Sequence, residues 1–315
     1  MIILNKNSNI PRSQKVKIGQ YFNMILTLFY VILQGMPINF LGNIKLSGSL
    51  DMGTIDHLTV SDLFFKSEHI LGAYVFSCKD LQSSQPLFND GLPTLIFMPE
   101  KTNVVHLKKA DVEIKLNAAW VCCGVIENTY WQLPEDLPYI IVLRFKPSSF
   151  YEIFNVEPAF FLTRPYCSLS EIMSNRWIQI IDQLYQKETI SDQFELLKET
   201  LSTYTVIENR PYLLQAALEK IDYNKGNITV SELIHDLGGK VNRKWLQRSF
   251  VKYIGISPKK YISLQRFIFM FGHCQNKSQK EIIDNTFLSG YYDYNHFLKE
   301  FKQYIGVSPT KYNWE

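Results

Sequence analysis

The feature that most constrains this chain is an internal repeat near its C-terminus. Residues 252–261 and 303–312 are near-identical, each running Tyr-Ile-Gly, an aliphatic residue, Ser-Pro and, three positions later, Tyr. Upstream of these tails, Leu246 and Phe250 lie four residues apart, and Phe297 and Phe301 repeat that spacing 51 residues later. A repeat of this length indicates that one supersecondary unit is present twice.

Each copy has the pattern of a helix-turn-helix. In the first copy, residues 228–233 open a helix, Gly238 and Gly239 end it, and Asn242 is expected to cap a second helix over 242–254. In the second copy, a helix over 280–288 is followed by a Ser-Gly turn and by Asp293, the expected cap of a helix over 293–304. A further helix, over 261–274, is predicted to connect the two units.

The second helix of each unit carries polar side chains of the kind that bind DNA. Because Leu246 and Phe250 face the core, the neighbouring Arg, Lys and Gln residues face outward. Such side chains form hydrogen bonds with base edges in the major groove. The candidate DNA-binding residues are Asn242, Arg243, Lys244, Gln247, Arg248, Tyr294, Asn295, His296, Lys299 and Lys302. For His296, packing at the edge of the core and phosphate contact are both left open.

The charge distribution also favours nucleic acid as the partner of this end of the chain. The net charge of the whole chain is only +3. Residues 225–315, however, contain 14 Lys and Arg against 7 Asp and Glu, a net charge of +7, whereas the first 224 residues sum to −4. A basic C-terminal region on a mildly acidic body is typical of proteins that bind DNA at one end.

The repeated units resemble those of AraC-family (AraC/XylS-type) transcriptional regulators. The resemblance rests on residues 243–250, on residues 290–297 and on the two Gly-x-Ser-Pro-x-x-Tyr tails. It implies double-stranded DNA as partner, with two recognition helices in successive major grooves and base contacts from Lys244, Gln247, Arg248, Tyr294, Asn295 and Lys299. It also implies an activator that contacts RNA polymerase. Residues 143–150 resemble the end of the β-rich regulatory domain found in one branch of the family.

The sequence departs from the family pattern at two places. The first turn, residues 238–241, is about two residues longer than is usual in the family. In the second unit, Asn285 and Thr286 stand where the family has an apolar residue and a small alanine. We therefore expect base recognition to come more from the first unit than from the second.

The body of the chain is predicted to be β-rich and then helical, which makes the fold class α+β. Residues 44–50, 72–78, 93–99, 103–109, 118–126 and 139–145 are rich in β-branched and aromatic residues and predict strands of a cupin-like sandwich or barrel. Apolar residues at helical spacing follow over 169–201, and another helix is expected over 212–221. The expected domains are a β-rich regulatory domain (41–165), a helical linker or dimerisation region (166–224) and the DNA-binding domain (225–315).

The N-terminal extension, residues 1–40, has three interpretations. Four basic residues precede an apolar run over 21–33, which is shorter than the roughly 20 residues of a membrane span. The run is a docked helix, a membrane anchor, or a segment translated from a start codon set too early, with Met24, Met36 and Met52 as later starts. We favour a docked segment or a start at Met36 over an anchor.

No pattern in the chain predicts an enzyme or a cofactor. His57, His69 and His106 are scattered and show no metal-binding spacing, and the five cysteines include no Cys-x-x-Cys pair, so we expect reduced thiols in a cytoplasmic protein. The adjacent Cys122 and Cys123 leave a thiol-based sensor open as an alternative, as the N-terminal run does for a membrane-tethered binding module. A small-molecule effector of the β-rich domain and a homodimer are further expectations.

Overall fold

The computed structural model describes residues 69–78, 84–87, 89–205, 211–274 and 277–312. A β-rich region comes first and helices follow, which confirms the α+β prediction. The expectations for residues 1–40, for a strand over 44–50 and for the start of the β-rich domain lie outside the described residues.

The strands form two antiparallel sheets. The five-stranded sheet has the order β1-β8-β3-β6-β9, and the four-stranded sheet has the order β2-β7-β4-β5. The strands are β1 (Ile70–Ser77), β2 (Gln85–Pro86), β3 (Thr94–Phe97), β4 (Val104–Lys109), β5 (Val112–Asn117), β6 (Ala119–Cys122), β7 (Tyr130–Gln132), β8 (Tyr139–Phe145) and β9 (Tyr166–Ser168).

The five-stranded sheet is buried on both faces. On one face, Ile96 and Trp120 share a core with Leu107 and Trp131 of the four-stranded sheet, so the two sheets form a sandwich. Side chains of the opposite face, such as Leu95, pack against helices. A sheet covered on both sides needs near-continuous apolar strands, which is why β3, β6 and most of β8 are buried residue after residue. The described strands form no closed barrel.

Four of the predicted strands are confirmed and one was predicted too long. The segments over 72–78, 93–99, 103–109 and 139–145 correspond to β1, β3, β4 and β8. The prediction over 118–126 is wrong after Cys122, because Gly124 takes the left-handed conformation (φ 72°) and turns the chain out of the sheet. Strands β2, β5, β7 and β9 were not predicted. In β5, Glu113 and Lys115 interrupt the apolar pattern because this strand is the edge of its sheet.

Ten α-helices are described. The first four pack against the five-stranded sheet, and the other six pack around the two cores of the C-terminal helices. The helices are α1 (Pro147–Ile153), α2 (Phe160–Thr163), α3 (Asn175–Tyr185), α4 (Ile190–Ser202), α5 (Tyr212–Tyr223), α6 (Val230–Asp236), α7 (Arg243–Ile254), α8 (Pro258–Cys274), α9 (Gln279–Leu288) and α10 (Tyr294–Ile305). None of them has both the length and the apolar composition needed to cross a bilayer.

The helical middle of the chain divides between the two ends of the molecule. The stretch over 169–201 is two helices, α3 and α4, rather than one, and Trp177 and Leu197 pack them on the outer face of the five-stranded sheet. Helix α5 packs elsewhere, since its buried Leu214, Ala217 and Ile221 join the core of the first helix-turn-helix unit. An amphipathic helix buries its apolar stripe against the nearest hydrophobic core. Helices α3 and α4 lie against one core, and α5 lies against another.

Candidate nucleic-acid interface

The first helix-turn-helix unit consists of α6 and α7. A capping box starts α6: the Thr229 hydroxyl accepts from the backbone N–H of Glu232 (3.2 Å), and the Glu232 carboxylate accepts from the N–H of Thr229 (2.7 Å). The pKa of Glu232 lies below its usual value. The hydrogen bond from the Thr229 backbone is the largest cause, and the one with the Thr229 side chain is the second. As predicted, Asn242 caps α7, and its side-chain oxygen accepts from the N–H of Trp245 (2.9 Å). The unit closes on Leu233, Leu246 and Phe250, which are all fully buried.

The second unit, α9 and α10, repeats this construction. Ser278 and Glu281 form the capping box of α9. The Asp293 carboxylate accepts from the N–H of His296 (2.7 Å) and so caps α10 as predicted. Helices α7 and α10 both have 12 residues, and both end at a glycine in the left-handed conformation, Gly255 (φ 86°) and Gly306 (φ 90°). The sequence repeat is therefore a structural repeat.

The two units differ in the segment before the recognition helix. Thr229 and Ser278, the caps of the first helices, are 49 residues apart, whereas Asn242 and Asp293 are 51 residues apart. The second unit thus has two more residues between its caps. It also accommodates Thr286, which is fully buried and donates its hydroxyl to the Ile282 carbonyl (2.7 Å), so this polar residue leaves no unsatisfied group in the core.

The residues proposed to contact DNA lie on the outer faces of the two recognition helices. On and before α7, Asn242, Arg243, Lys244, Gln247 and Arg248 are exposed, while Leu246, Ser249 and Phe250 are buried on the opposite face. On α10, Asn295, Lys299 and Lys302 are exposed, while Tyr294 and His296 are half-buried. Partial burial raises the pKa of Tyr294 above its usual value. A tyrosine hydroxyl is a hydrogen-bond donor at neutral pH.

Besides Asn242, the side chains of Arg243 and His296 have polar partners within the protein. The Arg243 guanidinium donates to the Ser231 hydroxyl of α6 (3.2 Å), which fixes the start of α7 against the preceding helix. The His296 ring lies 5.3 Å from the ring of Tyr291, edge to face, and its Nε2 is 3.6 Å from Glu300 Oε1. The ring of His296 therefore packs at the edge of the second unit's core.

A buried polar cluster joins the connecting helix α8 to α10. Helix α8 begins at Pro258, three residues before the predicted start, because Ser257 caps it through the N–H of Lys260 (3.3 Å). The Glu300 carboxylate, almost fully buried, accepts from the Ser263 hydroxyl (2.6 Å) and from the Arg266 guanidinium (3.1 Å). Sequence reasoning missed Glu300. The only signal for it was a charged residue at a core position between Phe297 and Phe301.

Close packing between elements also depends on Gly226, in the turn that precedes the first helix-turn-helix unit. Gly226 has φ 71° and lies directly against the backbone of α8 at Ile262 and Arg266. The neighbouring Asn227 side chain fills the space beside Gly290, in the turn of the second unit. The turn over 224–227 therefore packs against both the connecting helix and the second unit.

The cysteines and histidines of the described ranges do not form a reactive or metal-binding centre. Cys122 and Cys123 are buried, and desolvation raises the pKa of both thiols, that of Cys123 to about 12. A thiol with a raised pKa is a poor nucleophile, which counts against the thiol-sensor alternative. No group of three metal-ligating side chains occurs in this part of the chain.

Comparisons with known proteins give a distant likeness. No family model matches the chain, and no curated protein matches it. The chain is similar to solved structures of ToxT from Vibrio cholerae. An apo variant is 13% identical with a TM-score of 0.40, covering 78% of this chain and 97% of that one. A ToxT structure with a bound unsaturated fatty acid is 15% identical with a TM-score of 0.38, covering 78% and 95%.

Proposed function

We propose that this protein is a sequence-specific DNA-binding transcription regulator of the AraC type. The single observation that supports this most is the structural repeat: two capped 12-residue helices, each with a buried apolar face and an exposed face rich in Arg, Lys, Gln or Asn. A single exposed basic helix is usually just solvated. Two such helices built alike and joined by a rigid helix suit a protein that reads two successive major grooves.

The proposed base contacts differ between the two helices in their exposure. Lys244, Gln247 and Arg248 follow the cap of α7 and are all exposed. On α10, Asn295 and Lys299 are exposed, whereas Tyr294 is half-buried and His296 packs toward Glu300. We therefore assign base recognition to the first three and to Tyr294, Asn295 and Lys299, and phosphate contacts to Asn242, Arg243 and Lys302. His296 is assigned to packing at the edge of the core.

The β-rich region is proposed to modulate this activity. In this proposal the protein is a cytoplasmic activator that contacts RNA polymerase and has no catalytic activity. Its β-rich region is a regulatory domain that binds a small-molecule effector, or the protein dimerises through the helices over 166–224. A ligand of this region shifts the DNA-binding equilibrium only as far as it binds one conformation of the region more tightly than the other. The net charge of +7 on residues 225–315 supports the assignment of DNA binding to the C-terminal end of the chain.

Selection from a random duplex library tests the proposed function. Purified full-length protein is incubated with the library, and the bound fraction is sequenced. We expect two short enriched blocks roughly 10 bp apart, one for each recognition helix. No enrichment, with the full chain and with residues 211–315, which keep α5 in the core of the first unit, would overturn the proposal.

Arg248→Ala is expected to weaken binding to the selected sequence by about 1–3 kcal/mol and to relax the preference at one base position, because Arg forms paired hydrogen bonds with guanine. Affinities for the selected duplex and for a scrambled duplex are compared by titration. Lys252→Ala is the control, since Lys252 is exposed one turn further along α7 and packs over the Tyr253 ring. Equal losses on both duplexes would make Arg248 a phosphate contact instead.

A further inference from the structure

The loop between β6 and β7 reaches from the sandwich to the C-terminal helices, and we refer to residues 125–130, which include the first residue of β7, as the interunit loop. Val125 packs against the core of the first helix-turn-helix unit and also against the core of the second. No other partly buried side chain of the described residues belongs to the surroundings of both cores. A residue of the β-rich region thus lies between the two DNA-binding units.

The same loop binds the C-terminal end of α10. The N–H of Asn128 donates to the Tyr304 carbonyl (2.8 Å), and the Tyr130 hydroxyl donates to the Ile305 carbonyl (2.8 Å). The Asn128 side chain fills the space beside Gly306, the residue that ends the helix. The last carbonyls of a helix have no partner within it. Here the β-rich region provides two of the missing donors.

Glu127 connects this end of α10 to the connecting helix. Its carboxylate accepts from the Gln303 side chain (2.8 Å) and lies 3.6 Å from the Lys260 ammonium at the start of α8. The first recognition helix contacts other parts of the β-rich region: the Tyr151 hydroxyl donates to the Ile254 carbonyl (3.2 Å), and Pro158 lies against Gly255. The hydrogen bonds of the interunit loop to the C-terminal helices thus fall on the second unit, and its ion pair falls on the start of α8.

These contacts lie at the end of α10 opposite to the end that would enter DNA. A helix of 12 residues is about 18 Å long, so a small rotation at Ile305 displaces the cap at Asp293 by several times as much as it moves the contacts themselves. The exposed Asn295 and Lys299 lie near that displaced end.

From this geometry we infer that the interunit loop positions the second recognition helix and sets the distance between the two sequence blocks that the protein reads. This inference rests on the proposed function. Val125, Glu127, Asn128 and Tyr130 are then positioning residues for DNA recognition, although they belong to the β-rich region and touch no DNA.

The test uses full-length protein and the selected duplex, together with duplexes in which one base pair is inserted or removed between the two blocks. Wild-type protein is expected to bind the altered spacings much more weakly than the selected spacing. Tyr130→Phe removes only the hydroxyl that binds Ile305, and we expect it to weaken binding at the selected spacing by about two- to tenfold. It should also flatten the dependence on spacing.

Tyr139→Phe serves as the matched control, because Tyr139 is a half-buried tyrosine of β8 that pairs with Ser77 of β1 in the five-stranded sheet. It is expected to leave the spacing dependence unchanged. Glu127→Ala is a second variant, which removes the contacts to Gln303 and Lys260 and should reproduce the effect of Tyr130→Phe.

Loss of stability alone lowers affinity at all spacings by the same factor, so the spacing dependence separates positioning from folding. If both variants keep the wild-type dependence on spacing, the inference is wrong while the proposed function stands. If the wild-type protein binds no duplex, the proposed function fails, and the inference fails with it.

Discussion

Replacement of Gly226 by alanine is expected to destabilise the protein by about 2–5 kcal/mol. Gly226 has φ 71°, a conformation that costs a residue with a Cβ roughly 1–2 kcal/mol. The new methyl group would also lie 2.6 Å from the Ile262 carbonyl oxygen and 2.7 Å from the Arg266 Cα. Because these are backbone atoms of α8, the helix itself must move, which adds an overpacking cost of roughly 1–3 kcal/mol.

Gly239→Ala separates the two contributions. Gly239 has a similar φ of 65°, but a Cβ built there meets nothing within 4 Å. This variant should lose only the conformational part, about 1–2 kcal/mol. Urea unfolding of both variants, followed by circular dichroism, gives the comparison. Equal losses would mean that the turn over 224–227 is not packed against α8 as described.

The second large effect is expected at the buried ion pair between Asp90 and Arg144. The Arg144 guanidinium of β8 donates to the Asp90 carboxylate, and the two side chains are 6% and 2% exposed. Removal of one partner leaves the other charge buried without compensation, which typically costs about 3–5 kcal/mol. We therefore expect Arg144→Met, which approximately conserves volume, to lower the free energy of unfolding by about that amount.

Arg164→Met is the matched control for this prediction. Arg164 also pairs with a carboxylate, that of Glu171 at 3.2 Å, but its side chain is 58% exposed. Exposed pairs contribute about 0–1 kcal/mol, so this substitution should change stability little. Thermal or urea unfolding of the two variants measures the difference. A loss for Arg144→Met as small as that for Arg164→Met would contradict the prediction.

The ion pair also bears on the contact between the two parts of the molecule. The backbone carbonyl of Asp90 accepts from the Gln265 side chain of α8 (2.9 Å), and the next residue, Gly91, lies against Ile256 and Leu264. Arg144 thereby fixes a loop that docks on the connecting helix. This contact joins the sandwich to the helix-turn-helix units in addition to the contacts of the interunit loop and of Tyr151.

The sequence alone determined the helix-turn-helix units almost completely, because their signals are local. Caps at Asn242 and Asp293, and glycines at 255 and 306, act on backbone groups within a few residues, so a short window of sequence contains the whole cause. The spacing of Leu246 and Phe250 likewise defines the buried face of a helix without reference to any other element. For the same reason the exposure of Arg248 and Lys244 was predictable.

Only the tertiary structure shows which residues from other parts of the chain contact the two units. Nothing local marks Asn128 and Tyr130 as partners of α10, since their hydrogen bonds join residues about 175 positions apart. The short strands β2, β7 and β9 also escaped prediction, because two or three residues carry no periodicity and form strands only where a neighbouring strand offers its backbone groups. A charged side chain is buried only where it has hydrogen-bonding or ionic partners. The partners of Glu300 are Ser263 and Arg266, which belong to another helix, so no local sequence signal predicts its burial.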